Sequence, residues 1–308
     1  MQKIVPHLWF DKEAKEAAEF YTSVFPESKI VHSSVIRDTP SGDCDIMTFE
    51  LWGQRFMSIS AGPLFKFNPA INFIVNFDPL FFKDAPDPEQ AAREKLDEIW
   101  AKLLDGGMAL MPLDKYPFSK RYGWVQDRYG VSWQLMLTDP AGEPRPSIIP
   151  SLMFVGKNAG RAGEAINFYV SVFNNSKIGA MHTYGPDQLP DKEGTVMFAD
   201  FMLEQKWFAA MDSAHEHKFQ FNEAVSLMVY CETQEEIDHY WNKLSAVPEA
   251  EQCGWLKDTY GLSWQIVPTA MDKMMNSGDP ERLQRVTAAF MKMKKFDVAE
   301  LERAYKGA

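Results

Sequence analysis

The chain repeats itself, and that constrains its fold more than anything else in it. Phe20–Ile30 (FYTSVFPESKI) returns as Phe168–Ile178 (FYVSVFNNSKI), and Gly123–Gln134 (GWVQDRYGVSWQ) as Gly254–Gln265 (GWLKDTYGLSWQ). Between these anchors Phe67–Ala70 (FNPA) is answered by Phe221–Ala224 (FNEA). Three anchors in one order mean two copies of one architecture. The spacing drifts, so copy one carries extra residues around Asp78–Asp87 and Met108–Lys120. Between the copies lies Asp139–Pro146, whose three prolines and one glycine continue neither a helix nor a central strand. The reading gives a first domain over 1–140, a second over 147–270 and a helical tail over 271–308.

Within a copy the order is strand, helix, three strands, and then the same again. Ile4–Phe10 is apolar and β-prone. Glu13–Phe25 places Ala14, Ala17, Ala18, Tyr21, Val24 and Phe25 on one helical stripe. Strands follow at Ile30–Arg37, Asp45–Trp52 and Gln54–Ser60. The second module runs through Ile71–Phe77, a helix over Pro88–Leu104 ending at Gly106-Gly107, and short strands at Ala109–Pro112, Gly123–Asp127 and Ser132–Leu137. In Ile71–Phe77, period two puts Phe73, Val75 and Phe77 on one face and Asn72, Ile74 and Asn76 on the other. A sheet with a partly polar inner face is a cup. In the tail, Asp279 reads as an N-cap with Pro280 at the first helical position.

A net charge of −11 repels phosphate backbones and anionic lipid, so nucleic acid and membranes are excluded as partners. Cys44, Cys231 and Cys253 show no C-x-x-C spacing and read as unpaired thiols in a reducing compartment. The N-terminus runs into a strand with no signal-peptide pattern, and no apolar run is long enough to span a membrane. The expected location is the cytoplasm.

Paired βαβββ modules with these motifs resemble the vicinal-oxygen-chelate superfamily, which includes glyoxalases, bleomycin-resistance proteins and dioxygenases. Pro6–Phe10, Phe20–Ile30, Gly53–Phe56, Phe208–Asp212, the two Gly-Trp…Ser-Trp-Gln segments and the tail from Gly278 to Tyr305 are most similar to its PhnB-like group, which carries the label 3-demethylubiquinone-9 3-methyltransferase domain. The resemblance implies an α+β fold of two tandem glyoxalase-like domains, each of paired βαβββ modules forming an open cup-shaped barrel. It also implies a small-molecule ligand, and a homodimer as the assembly to test. Metal-dependent members hold a divalent ion through His and Glu on the first, last and inner strands. Carried over, those positions fall on Pro6, Asn72 and Gln134 in copy one and on Pro150, Ser226 and Gln265 in copy two. These are poor ligands, so neither a metal nor any other cofactor is expected. Period two points His7 toward the helix face.

Gln134 and Gln265 are the first candidates to orient a ligand, or else close a hydrogen-bond network at the sheet seam. Trp124 and Trp255 read as cup walls, Trp133 and Trp264 as core, and Asn72, Asn76, Ser226 and Tyr230 as further polar lining. Glu50 and Asp200, aligned across a one-residue gap, are the candidate general bases. Asp212, aligned with Ala61, is a weaker one. Three functions compete: metal-independent turnover of a small polar substrate, ligand sequestration without turnover, and literal methyl transfer. Methyl transfer has little support, since no Gly-rich turn follows a strand. The sequence does not decide between enzyme and binder.

Overall fold

The computed structural model describes residues 2–39, 41–139, 143–275 and 277–307. Residues 140–142 of the predicted linker lie outside them. The first repeat contributes β1 (Ile4–Phe10), α1 (Ala14–Val24), β2 (Lys29–Thr39), β3 (Gly42–Leu51), β4 (Gln54–Ser60), β5 (Ile71–Phe77), α2 (Pro88–Leu104), β6 (Met108–Tyr116), β7 (Ser119–Gln126) and β8 (Ser132–Leu137). The second contributes β9 (Ile148–Phe154), α3 (Ala162–Val172), β10 (Lys177–Thr183), β11 (Val196–Leu203), β12 (Lys206–Asp212), β13 (Val225–Cys231), α4 (Gln234–Leu244), β14 (Trp255–Lys257) and β15 (Ser263–Pro268). The tail adds α5 (Thr269–Met275), α6 (Pro280–Phe290) and α7 (Val298–Lys306). β6 and β7 are longer than predicted, because Pro112 and the polar run after it pair across an irregular hairpin with register shifts. Asp279 caps α6, accepting from the backbone N–H of Glu281 and Arg282.

Two open sheets result, and each draws on both repeats. One runs β14-β15-β13-β1-β4-β3-β2 and the other β10-β11-β12-β9-β5-β8-β7-β6. The central antiparallel pairs join the copies, His7 opposite Ser226 in one sheet and Asn72 opposite Ser151 in the other. The paired modules that make a cup therefore come from different repeats. The crossing point explains the Phe-Asn-x-Ala anchor. Asn68 Nδ2 donates to the Gln220 carbonyl at 3.1 Å, and Asn222 Nδ2 donates to the Lys66 carbonyl at 2.8 Å. Each asparagine also accepts from the N–H two residues on, Ala70 or Ala224.

The sheets turn their aromatic faces toward one another. Phe56 of one meets Phe73 of the other at 5.0 Å between ring centroids, and Trp133 and Trp264 are fully buried, as the sequence predicts. The other repeated motif is a buried carboxylate at the last hairpin. Asp127 accepts from Tyr21 Oη and Trp133 Nε1, both at 2.8 Å, and from the N–H groups of Tyr129 and Val131. Asp258 does the same with Tyr169, Trp264, Tyr260 and Leu262. Burial pushes both carboxyls up to about 6, against the four hydrogen bonds that hold them down. The opposite faces of the two sheets form the cups.

Candidate ligand cup

In the sheet built on β1 and β13, the cup is roofed by the tail. α5 follows β15 without a break and lays Met271, Asp272 and Met275 over the sheet, with Phe290 from the end of α6 and Phe296 beyond it. The tail is pinned where Cys253 N–H donates to the Met293 carbonyl at 2.8 Å and Gly254 N–H to that of Lys294 at 2.7 Å. Gly254 has φ +83°, and a Cβ there would lie 2.5 Å from Phe296, so only glycine lets the tail approach. Underneath is a cavity of about 230 Å³. Trp9, Trp255, Ile36, Met57 and Val267 give it an apolar wall; His7, His32, Ser34, Thr48, Arg55, Tyr230, Gln265 and Asp272 are among its polar groups.

His7 therefore faces the cup, not the helices. β1 is buried along nearly its whole length on both faces, so its sequence carries no alternation to settle the facing. His7 is 5% exposed, stands edge-on to Trp255, and its Nδ1 is buried without a partner. Desolvation lowers its pKa to about 3, so the ring is neutral. Arg55 Nε is likewise buried without a partner. Tyr230 Oη donates to the thioether sulfur of Met57 at 2.9 Å, and burial raises the phenol well above its usual range. Gln265 Nε2 donates to Ser226 Oγ at 2.9 Å.

The cup built on β9 and β5 carries the equivalent positions and is filled. Gln134 donates to Asn72 Oδ1 at 2.7 Å and accepts from Tyr122 Oη at 2.6 Å, so both ends of the amide are bound. This is the seam network. Asn76 donates to the Pro146 carbonyl and Trp124 Nε1 to Ser132 Oγ. Ile74, Ile149, Trp207 and Ala209 pack as a separate apolar cluster. Over them lies Arg145 from the linker, 3.7 Å above the Trp207 ring and donating through Nε to Asp200 at 2.8 Å.

The candidate bases are not equivalent to each other. Both hairpins close on two-residue turns, Trp52-Gly53 and Glu204-Gln205, all four residues at positive φ. Asp200 therefore matches Thr48, and Glu50 matches Met202. The second turn lacks glycine, which is what invites a false gap in the alignment. Glu50 is 36% exposed, pairs with Lys29 at 3.2 Å and does not line the cavity. Asp200 is 7% exposed and has both oxygens engaged, by Arg145 and by Ala180 N–H at 2.7 Å. Gly179 makes that possible, since a Cβ there would sit 2.0 Å from Asp200 Oδ1. Asp212 matches Ser60, not Ala61, and each accepts from the start of the first helix of its own repeat: Asp212 from Ala162 N–H, Ser60 from Ala14 N–H. Of the ten sequence-predicted residues, Gln265, Tyr230 and Trp255 line the cavity and Ser226 supports Gln265 from beneath. Gln134, Asn72, Asn76, Trp124 and Asp200 belong to the filled cup. His7, Arg55 and Asp272, with His32, Ser34 and Thr48, are polar cavity groups that the sequence did not point to.

The fold family implies a divalent metal, and the donors do not fit one. Among the described residues no three His, Cys, Asp or Glu side chains come together as a metal-holding group. The cavity's two imidazoles, His7 and His32, and its one carboxylate, Asp272, form no such group, and an amide and a phenol beside them do not complete the anchored N/O set a divalent ion requires.

Two open sheets built from paired βαβββ modules, with a cup on the face away from the helices, define a vicinal-oxygen-chelate fold. The model of the family described as 3-demethylubiquinone-9 3-methyltransferase matches residues 2–136 and 146–267, and the chain belongs to that family in tandem duplicate. A Bacillus cereus protein titled a 3-demethylubiquinone-9 3-methyltransferase, PhnB protein, is 39% identical over 44% of this chain and 100% of its own, with a TM-score of 0.38. Glyoxalase I from Zea mays matches 89% of this chain and 96% of its own at 12% identity and a TM-score of 0.53, a likeness of fold alone. No curated protein matches the chain.

Proposed function

We propose that this protein binds one small ligand, without a metal, in the tail-covered cup, and that the linker-filled cup is structural. The observation that carries this is a cavity in which His7 Nδ1 and Arg55 Nε are both buried with no hydrogen-bond partner. Buried polar groups are satisfied in the great majority of cases, and exceptions inside a concavity point to an absent partner molecule. Binding suits the cup better than proton transfer. Glu50 stands outside it, Asp200 is committed to Arg145, and a His7 held near pKa 3 is a weak base at neutral pH. Sequestration without turnover is therefore the leading reading. Methyl transfer from S-adenosylmethionine finds no doubly wound parallel sheet among the described residues.

Three free cysteines, two of them buried, suit a reducing cytoplasm. Among the described residues no helix is long and apolar enough to cross a membrane. Tandem fusion already supplies two cups in one chain, so the reading needs no second copy. A library of single-ring carboxylates, amides, phenols and amines, screened by ligand-observed NMR, tests it. Hits whose signal is lost in Trp255→Ala and kept in Trp124→Ala support the assignment. No hits, or hits indifferent to Trp255→Ala, overturn it.

A further inference from the structure

The chemistry of the tail-covered cup also says what it holds, an inference that rests on the ligand-cup reading above. Two of its polar groups are donors with nothing adequate to donate to. Arg55 is permanently charged, and its Nε–H is buried without an acceptor. Tyr230 spends its O–H on a thioether, a weak acceptor. His7 adds a neutral ring nitrogen that adapts its tautomer to either role. A buried donor left without an acceptor keeps its full desolvation penalty, so this arrangement is destabilising until an oxygen acceptor arrives.

Most of the remaining wall is apolar and partly aromatic, with His32, Ser34, Thr48, Gln265 and Asp272 as its other polar groups. Trp9 and Trp255 stand edge-to-face with centroids 6.0 Å apart. The space equals roughly eight waters at liquid density, about the body of one substituted ring. Asp272 is the carboxylate that faces this group. It comes from the roof helix, is close enough to Arg55 to feel its charge, and is nonetheless raised in pKa by burial. The same roof position therefore competes with any incoming anion.

We infer that the cup takes a small aromatic monocarboxylate, its carboxylate on Arg55 and Tyr230 and its ring against the tryptophan wall. Isothermal titration with benzoate, benzamide and benzylamine tests this. Benzoate binds at least tenfold tighter than either neutral or cationic isostere, and Arg55→Met removes that preference. Asp272→Asn, which takes away the competing charge, tightens benzoate several-fold. Circular dichroism and thermal melting show whether each variant is folded, and Asp272→Asn keeps the test alive if Arg55→Met is not. Equal binding of benzamide, or benzoate affinity unmoved by both substitutions, overturns the inference. If fragments reach the cup but show no carboxylate preference, this inference alone fails. If nothing reaches the cup, the site assignment fails with it.

Discussion

The two cups place a glutamine at the same position of the last strand of each repeat and surround it differently. Gln134 is held at both ends, by Asn72 and Tyr122. Gln265 has Ser226 beneath it, and where Tyr122 would stand there is Cys253, whose thiol turns to the Phe290 carbonyl. Further along each sheet, Arg55 of β4 corresponds to Trp207 of β12 and His7 of β1 to Ser151 of β9. One cup carries its guanidinium on the sheet and leaves space above it. The other carries tryptophan on the sheet and receives its guanidinium from the linker. Duplication thus kept the framework, the Tyr-Asp-Trp network and the crossing asparagines, while the cup floors diverged. The segment after the last strand is what separates them: a linker that drops an arginine in, or a helix that roofs the cavity over.

The largest expected difference is in pH response. His7 has an unfolded pKa near 6.5 and a folded value of about 3, so the unfolded chain takes up a proton that the folded chain refuses. Stability falls as pH drops from about 6.5 to 3, by up to about 4–5 kcal/mol from this group. His7→Phe flattens that limb in urea melts run at successive pH values. Asp127 and Asp258 titrate in both proteins with the opposite sign, losing stability as pH rises from about 4 to 6, so the difference between the curves isolates His7.

Next in size are the shared aspartates. Asp127→Ala and Asp258→Ala each strand a buried Tyr hydroxyl, a Trp N–H and two backbone N–H groups, and each costs about 3 kcal/mol. Near-equal losses, read from denaturant midpoints, mark the framework as common to both cups, and a twofold disparity breaks that equivalence. Arg145→Ala leaves Asp200 unpaired and uncovers Trp207, at about 2 kcal/mol. The substitution has no counterpart in the other cup and does not weaken benzoate binding. Smallest is the glutamine pair. Gln134→Leu orphans two partners and costs about 2 kcal/mol, whereas Gln265→Leu orphans Ser226 alone and costs about 1 kcal/mol.

Much of this was legible in the residues. The repeat gave the number of modules, period two assigned the faces of Ile71–Phe77, and Trp133 and Trp264 were core by the same rule. Strand partners across repeats were not legible. The pattern of β1 satisfies either β5 or β13, and the choice rests on how distant connectors cross. His7 was misplaced because a strand buried on both faces has no alternation. Arg55 stands out in the sequence only as part of the Gly53–Phe56 motif, because nothing local to a strand next to a tight turn says that its guanidinium is buried. Nothing in the tail's helical periodicity says which cup it covers.

The central claim is that one cup binds and the other does not. Labelling the nine tryptophans with 5-fluorotryptophan and titrating benzoate, followed by fluorine NMR, tests it in one experiment. The account predicts that Trp9 and Trp255 shift with a single saturation curve while Trp124 and Trp207 stay in place. Shifts at Trp124 and Trp207, or none at Trp255, would contradict it.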